Sequence, residues 1–367
     1  MKRILMTTAA TVAFAGAAQA GGIDRSGQGL GALWETGRYA ELTFGSITPS
    51  VDGTDLLGGP TGSVANDYLQ IGLSYKFDIN DKLSFALILD QPFGADVVYA
   101  PTSPLLGGTV ADASATSLTG IMRYKMGSGF SVHGGVRADK ADAFVNLGGL
   151  AYGPLNGYNV TLDSDMAPGY VVGFAYEKPE IALRVALTYN SAIKHSFNTV
   201  ERIGAVQVAP GSVTDVDLPQ SVNLDFQSGV AKDTLVFGQI RWVDWSSFRL
   251  DPIFFTTAAG SGLIDLEDTT TFTLGVGRRF NEHWAGSISV LYEDRGDPLV
   301  SPLAPTTGKL GLTIGASYTK DNMKISMGIN YTELGDAQPE TGTPDTARAN
   351  MTSNSAIGVG VKVGWSF

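Results

Sequence analysis

The chain contains no cysteine among its 367 residues, which removes disulfides, thiol nucleophiles and cysteine-ligated metals. Histidine is nearly absent too. His133, His195 and His283 stand far apart, with no second histidine at ligand spacing, and neither H-E-x-x-H nor G-x-S-x-G occurs. The residues therefore give no reason to expect an enzyme, a metal or a cofactor. Positive charge is scarce as well, with 25 Lys+Arg against 36 Asp+Glu, a net charge of −11 and no basic run, so a nucleic-acid partner is excluded. Acidic pairs such as Asp163 with Asp165 and Asp215 with Asp217 read as solvated loop charge, with weak calcium bridging to lipopolysaccharide as the alternative. Beyond residue 20 no stretch reaches the ~18–20 unbroken apolar residues of a membrane helix. A chain of this kind can live in a membrane only as a closed barrel, because lipid offers no partner to unpaired backbone groups.

The first 20 residues form a separate object. Lys2 and Arg3 precede the apolar run 4–14, and Ala18-Gln19-Ala20 supplies small residues for cleavage, so 1–20 reads as a secretory signal peptide. The remainder is rich in glycine, 46 residues in all, and poor in helix caps. Its clearest pattern lies at 309–331, where Leu310, Leu312, Ile314, Ala316 and Tyr318 alternate with small or polar residues. After Lys320-Asp321-Asn322 the alternation resumes through Met323, Ile325, Met327, Ile329 and Tyr331. Period two is the signature of a strand, and this is a hairpin with one apolar wall.

The same pattern recurs along the chain. Short turns fall near Asn80, Ser128, Lys178, Lys232, Asn281 and Asp321, while long connections occupy about 52–65, 92–112, 139–160, 195–213, 247–268, 296–308 and 335–350. Six hairpins, with a first strand at 38–51 and a last at 352–367, give fourteen strands. The fold expected is all-β, a 14-stranded antiparallel transmembrane β-barrel over 38–367, with apolar side chains facing lipid and aromatics near the strand ends. A soluble β-sandwich could share the alternation, but it leaves the segregation of short and long connections unexplained.

Several stretches carry a family resemblance. Leu218-Pro219-Gln220-Ser221-Val222-Asn223-Leu224, Arg241-Trp242-Val243-Asp244-Trp245-Ser246-Ser247-Phe248, Gln91-Pro92-Phe93-Gly94-Ala95 and Leu291-Tyr292-Glu293-Asp294 occur in the order found in the FadL/TodX (OMPP1) family. That family comprises outer-membrane transporters of long-chain fatty acids and aromatic hydrocarbons. The resemblance implies a monomeric barrel in the bacterial outer membrane, an N-terminal luminal hatch, and a hydrophobic substrate captured by outer loops. It also implies release sideways through a gap at a kinked third strand. Residues 21–37 stand where the hatch belongs, with Leu30, Leu33 and Trp34 as its sizeable apolar groups, although the family's Asn-Pro-Ala segment is absent. The final strand, ending in Phe367, resembles the signal recognised by the barrel assembly machinery. Lipid and lipopolysaccharide are the surroundings such a barrel implies.

Pro92, Phe93 and Gly94 form the candidate kink, because Pro lacks a ladder amide and Gly tolerates a bulge. The alternative is that the third strand ends by Leu89. Phe144, Leu147, Leu150, Tyr152 and Leu155 make one loop more apolar than exposure requires, a candidate substrate-binding surface or a loop packed on itself. The competing function is a diffusion porin for small polar solutes, which would need an open, charge-lined lumen.

Overall fold

The computed structural model describes residues 23–367, so the expected signal peptide, together with Gly21 and Gly22, lies outside the described residues. Fourteen antiparallel strands close into a barrel. They are β1 (Tyr39–Ser50), β2 (Tyr68–Asp78), β3 (Leu83–Asp90, continued by Gly94–Val98), β4 (Val110–Gly127), β5 (Phe130–Asn146), β6 (Tyr158–Lys178) and β7 (Leu183–Asn190, continued by Ile193–Ile203). The ring continues with β8 (Val206–Leu218, continued by Ser221–Ala231), β9 (Thr234–Val243), β10 (Thr269–Arg279), β11 (Trp284–Glu293), β12 (Thr307–Lys320), β13 (Met323–Gly335) and β14 (Asn354–Ser366). Closure is made by β1 against β14, in register from Tyr39 opposite Ser366 to Ser50 opposite Ser355. All six expected short turns join hairpins at one end.

Alternation sets the two faces. In the β12–β13 hairpin, Leu312 opposite Tyr331 and Ile314 opposite Ile329 point outward, while Thr313 opposite Asn330 and Ser317 opposite Ser326 point inward. Ile314 and Ile329 are each 60% exposed, and the same holds for apolar rows around the ring such as Leu69, Ile71 and Leu73. Water would penalise so continuous an apolar band, whereas lipid does not. Aromatic rings cluster toward the short-turn end, with Phe130 against Tyr176 at 4.8 Å and Trp284 against Tyr318 at 5.0 Å. Tyr170 and Tyr189, 5.9 Å apart, lie nearer the long-loop end. Several inward charges are paired: Lys309 with Glu293 at 3.2 Å, Lys362 with Glu41 at 3.0 Å, and Arg123 with Glu177.

The structure differs from the sequence reading where strands outlast the membrane. Residues 195–213, read as a loop, are an extended hairpin of β7 and β8 with its tight turn at Gly204, and β5 and β6 continue into 139–160. Crossing lipid takes only ~9–11 residues, and β6 has 21. Above the lipid no apolar outer wall is needed, so Lys194, Ser196 and Asn198 point outward and the apolar alternation disappears there.

Candidate transport pathway

The N-terminal segment runs inside the barrel. Leu33 is fully buried and Leu30 nearly so, packed against Ala86 and Ile88 of β3, Ile121 of β4 and Val171 of β6. Burying each leucine contributes about 1.5–3 kcal/mol. Trp34 lies between the Arg123 and Arg184 guanidiniums, 4.6 and 5.1 Å from its ring centroid. On the β8–β9 side, Arg241 holds Asp24 through two bonds, Nε to Oδ2 at 2.6 Å and Nη2 to Oδ1 at 3.1 Å. Asn223 donates to the Gly27 carbonyl and Ser221 to Gln28.

Opposite these anchors the third strand breaks. It stops at Asp90 and resumes at Gly94. Gly94–Val98 has its ladder with β4 and a single bridge, Val97 to Ala65, on its other side, while Tyr68–Gly72 of β2 has a ladder partner only on its β1 side. The wall between β2 and β3 is thus unladdered at this height. Above the break Asn66 donates to the Asp96 carbonyl, and Val98 to that of Val64. Across it Ile71 N–H donates to the Gln91 side chain at 2.9 Å.

From the lumen side the N-terminal segment covers the break like an added strand. Gly94 N–H donates to the Ile23 carbonyl at 2.9 Å, and Arg25 N–H to that of Pro92 at 2.8 Å. The Arg25 guanidinium then fills the interruption, 4.2 Å above the Tyr68 ring, and a Cβ built on Gly94 would come within 2.6 Å of it. A side chain at 94 would push the guanidinium out of that position. Arg25 carries a role that the sequence reading missed, since nothing in the chain between them links it to Tyr68 or Gly94.

Behind the break lies an apolar chamber of about 70 Å³. Phe93, Gly94 and Ala95 form one side, and Ala111, Ala115, Ala141 and Ala143 of β4 and β5 make its floor and flank. Leu162, Phe197 and Leu218 close the far side, and Phe248, Ile264 and Leu303 from the long connections roof it. Small alanines leave the space that leucines would fill. The roof is part of one large apolar cluster that includes Tyr99, Tyr158 and Trp245, all fully buried. Toward the short turns the lumen is polar and open, with spaces of about 600 Å³ beside Lys76, Arg123 and Glu177 and about 530 Å³ beside Arg279 and His283.

The five residues expected at a substrate surface are not gathered around this chamber. Leu147 is buried in the large cluster, Tyr152 and Leu155 pack against it, Leu150 is 66% exposed, and Phe144 points outward from β5. Pro92, Phe93 and Gly94 meet at the break, and Leu30, Leu33 and Trp34 meet inside the lumen.

The comparisons with known proteins follow the same outline. Residues 50–367 match the family model described as outer membrane protein transport protein (OMPP1/FadL/TodX). No curated protein sequence matches the chain. Among solved structures, a Pseudomonas aeruginosa FadL homologue superposes with a TM-score of 0.69 at 16% identity, covering 92% of each chain. The toluene transporter TodX of P. putida gives 0.65 at 16% identity, over 92% of this chain and 94% of that one. The toluene transporter TbuX of Ralstonia pickettii gives 0.62 at 14% identity over 96% of both. With a closed fourteen-stranded barrel and a family match over most of its length, the chain belongs to the OMPP1/FadL/TodX family of outer membrane transport proteins, and its place is the bacterial outer membrane.

Proposed function

We propose that the protein is a channel for uptake of hydrophobic small molecules, with long-chain fatty acids and aromatic or aliphatic hydrocarbons as the substrate class. The observation that carries this reading is the apolar chamber whose side wall is the unladdered stretch of β3 at Phe93 and Gly94. A substrate collected by the long connections, with Leu150 and its neighbours Leu147, Tyr152, Leu155 and Phe144 as the collecting surface, would pass into the chamber. It would leave sideways once Arg25 withdraws. Residues 21–37 act as the hatch: Leu30, Leu33 and Trp34 hold it down, and a bound ligand competes for the same apolar surface. Toluene transporters among the structural neighbours favour this class. Phe367, exposed at the short-turn rim with its N–H bonded to the Arg38 carbonyl, is the contact offered to the assembly machinery, and the barrel works as a monomer in lipid and lipopolysaccharide.

A diffusion porin would need a continuous polar lumen, and the apolar cluster above the hatch argues against one. Uptake of a labelled fatty acid or monoaromatic by cells carrying Gly94→Arg decides between them. The channel reading predicts loss of hydrophobic uptake with ion conductance of the purified barrel nearly unchanged. Parallel loss of sugar and ion permeation would favour the porin.

A further inference from the structure

The barrel wall is interrupted a second time. Below, β6 pairs with β7 from Val171 opposite Asn190 to Lys178 opposite Leu183, and above, from Tyr158 opposite Ile203 to Leu162 opposite Thr199. Past the Ser191 N–H to Tyr170 carbonyl bond at 3.0 Å, residues 163–169 of β6 and 192–198 of β7 have no ladder between them, although 165–169 and 193–198 are paired on their other sides. The causes are local. Pro168 has no amide, β6 carries one extra residue where 163–164 lie opposite Asp142 alone, and β7 is broken after Asn190.

Side chains close this seam. A Cβ on Gly169 would lie 2.7 Å from Cγ1 of Ile193, so Ile193 is pressed into the place where a side chain would stand. Just above, His195 is fully buried, with Nδ1 hydrogen-bonded to Asp165 on β6 at 2.9 Å and Nε2 to Asp139 on β5 at 3.2 Å. The imidazole, held between two carboxyl groups on neighbouring strands, is a latch spanning three strands. Behind the latch lie Leu162 and Phe197, which belong to the chamber already described. Outside it are Met166, 69% exposed, and the Tyr170–Tyr189 pair, so the seam stands at the outer margin of the apolar band.

We infer that the β6–β7 seam is a second side opening of the chamber, through which apolar molecules gathered at the outer membrane surface enter, with Ile193 as its stopper and Asp139–His195–Asp165 as its latch. The inference rests on the transport reading proposed above. It assigns entry to one seam and exit to the other.

The chain's lack of cysteine makes the test direct. Gly169→Cys with Ile193→Cys, oxidised in the folded barrel, should slow uptake of a labelled monoaromatic by about fivefold or more, and reductant should restore it. Equal rates in the fully oxidised and reduced forms would overturn the inference. A single Ile193→Cys gives an independent reading: a small neutral thiol reagent added outside cells should label it, and faster when His195→Gln is also present. Labelling that is absent, or indifferent to His195→Gln, counts against a seam that opens. Gly94→Arg, assayed alongside, separates the two ideas. Blocked uptake there with no effect of the crosslink removes only the second opening, and normal uptake there removes the transport reading itself.

Discussion

At the scale of single residues, the pathway depends on a few side chains that occupy space left by others. Arg25 sits where Gly94 has no side chain, held over Tyr68. Arg25→Ala should therefore raise the rate of hydrophobic uptake several-fold, measured with a labelled monoaromatic, and an unchanged rate would show that the guanidinium does not obstruct the break. Arg241 holds the N-terminal segment through Asp24 and also contacts Gln28, Ser221 and Asn223. Arg241→Ala leaves the part-buried Asp24 carboxylate without that partner. Ion conductance through the purified variant should rise as the hatch loosens. The interruption of β3 was suggested by Pro92 and Gly94, which stand within three residues of each other. Arg25 was not legible, because its significance lies in partners 43 and 69 positions away.

Elements carry the next level of the account. The short helix α1 (Ile253–Ala259) forms part of the roof, and its first turn is clasped by a fully buried carboxylate. Glu201 on β7 accepts from the amides of Phe254 at 3.1 Å and Phe255 at 3.0 Å and from the Tyr158 hydroxyl at 2.8 Å. Glu201→Ala removes all three bonds and leaves buried donors unmatched, at about 1–3 kcal/mol each. Hydrogen exchange over residues 253–259 should accelerate while that of β12 and β13 stays as it was. In the outer connections Glu340 is half-buried, and burial, then the nearby Asp345, push its carboxyl up to about 7. A carboxyl raised above its ordinary value of 4.5 favours the fold while it is protonated. That contribution is complete below about pH 4.5 and lost as pH rises through about 7, so protection of residues 338–347 should fall across this window and Glu340→Gln should abolish the pH dependence. A flat profile in the parent chain would contradict the assignment.

The whole molecule shows what kind of information alternation holds. The fourteen strands and their closure were readable because lipid imposes the same period on every segment it touches, as in Leu310–Tyr318 against Met323–Tyr331. Where the barrel rises above lipid that constraint lapses, which is why 195–213 looked like a loop and proved to be paired strands. The chamber was hidden for a different reason. Its walls are alanines of β4 and β5 together with Phe197, Phe248 and Leu303, brought together by closure of the ring, and an alanine in a strand announces nothing about the space beside it. Assembly also belongs to this scale: deleting Phe367 should lower the amount of folded, heat-modifiable barrel in the membrane without altering transport per folded molecule.

The central claim is that hydrophobic cargo leaves the chamber between β2 and β3. Gln70 and Gln91 face each other across that break, with the Gln70 amide nitrogen 3.5 Å from the Gln91 carbonyl. Cysteines at both positions would provide a reversible bolt in a chain that has no other thiol. Uptake of a labelled hydrophobic substrate should stop when the pair is oxidised and return on reduction, with ion conductance constant throughout. Uptake that proceeds at one rate whether the bolt is closed or open would contradict the account.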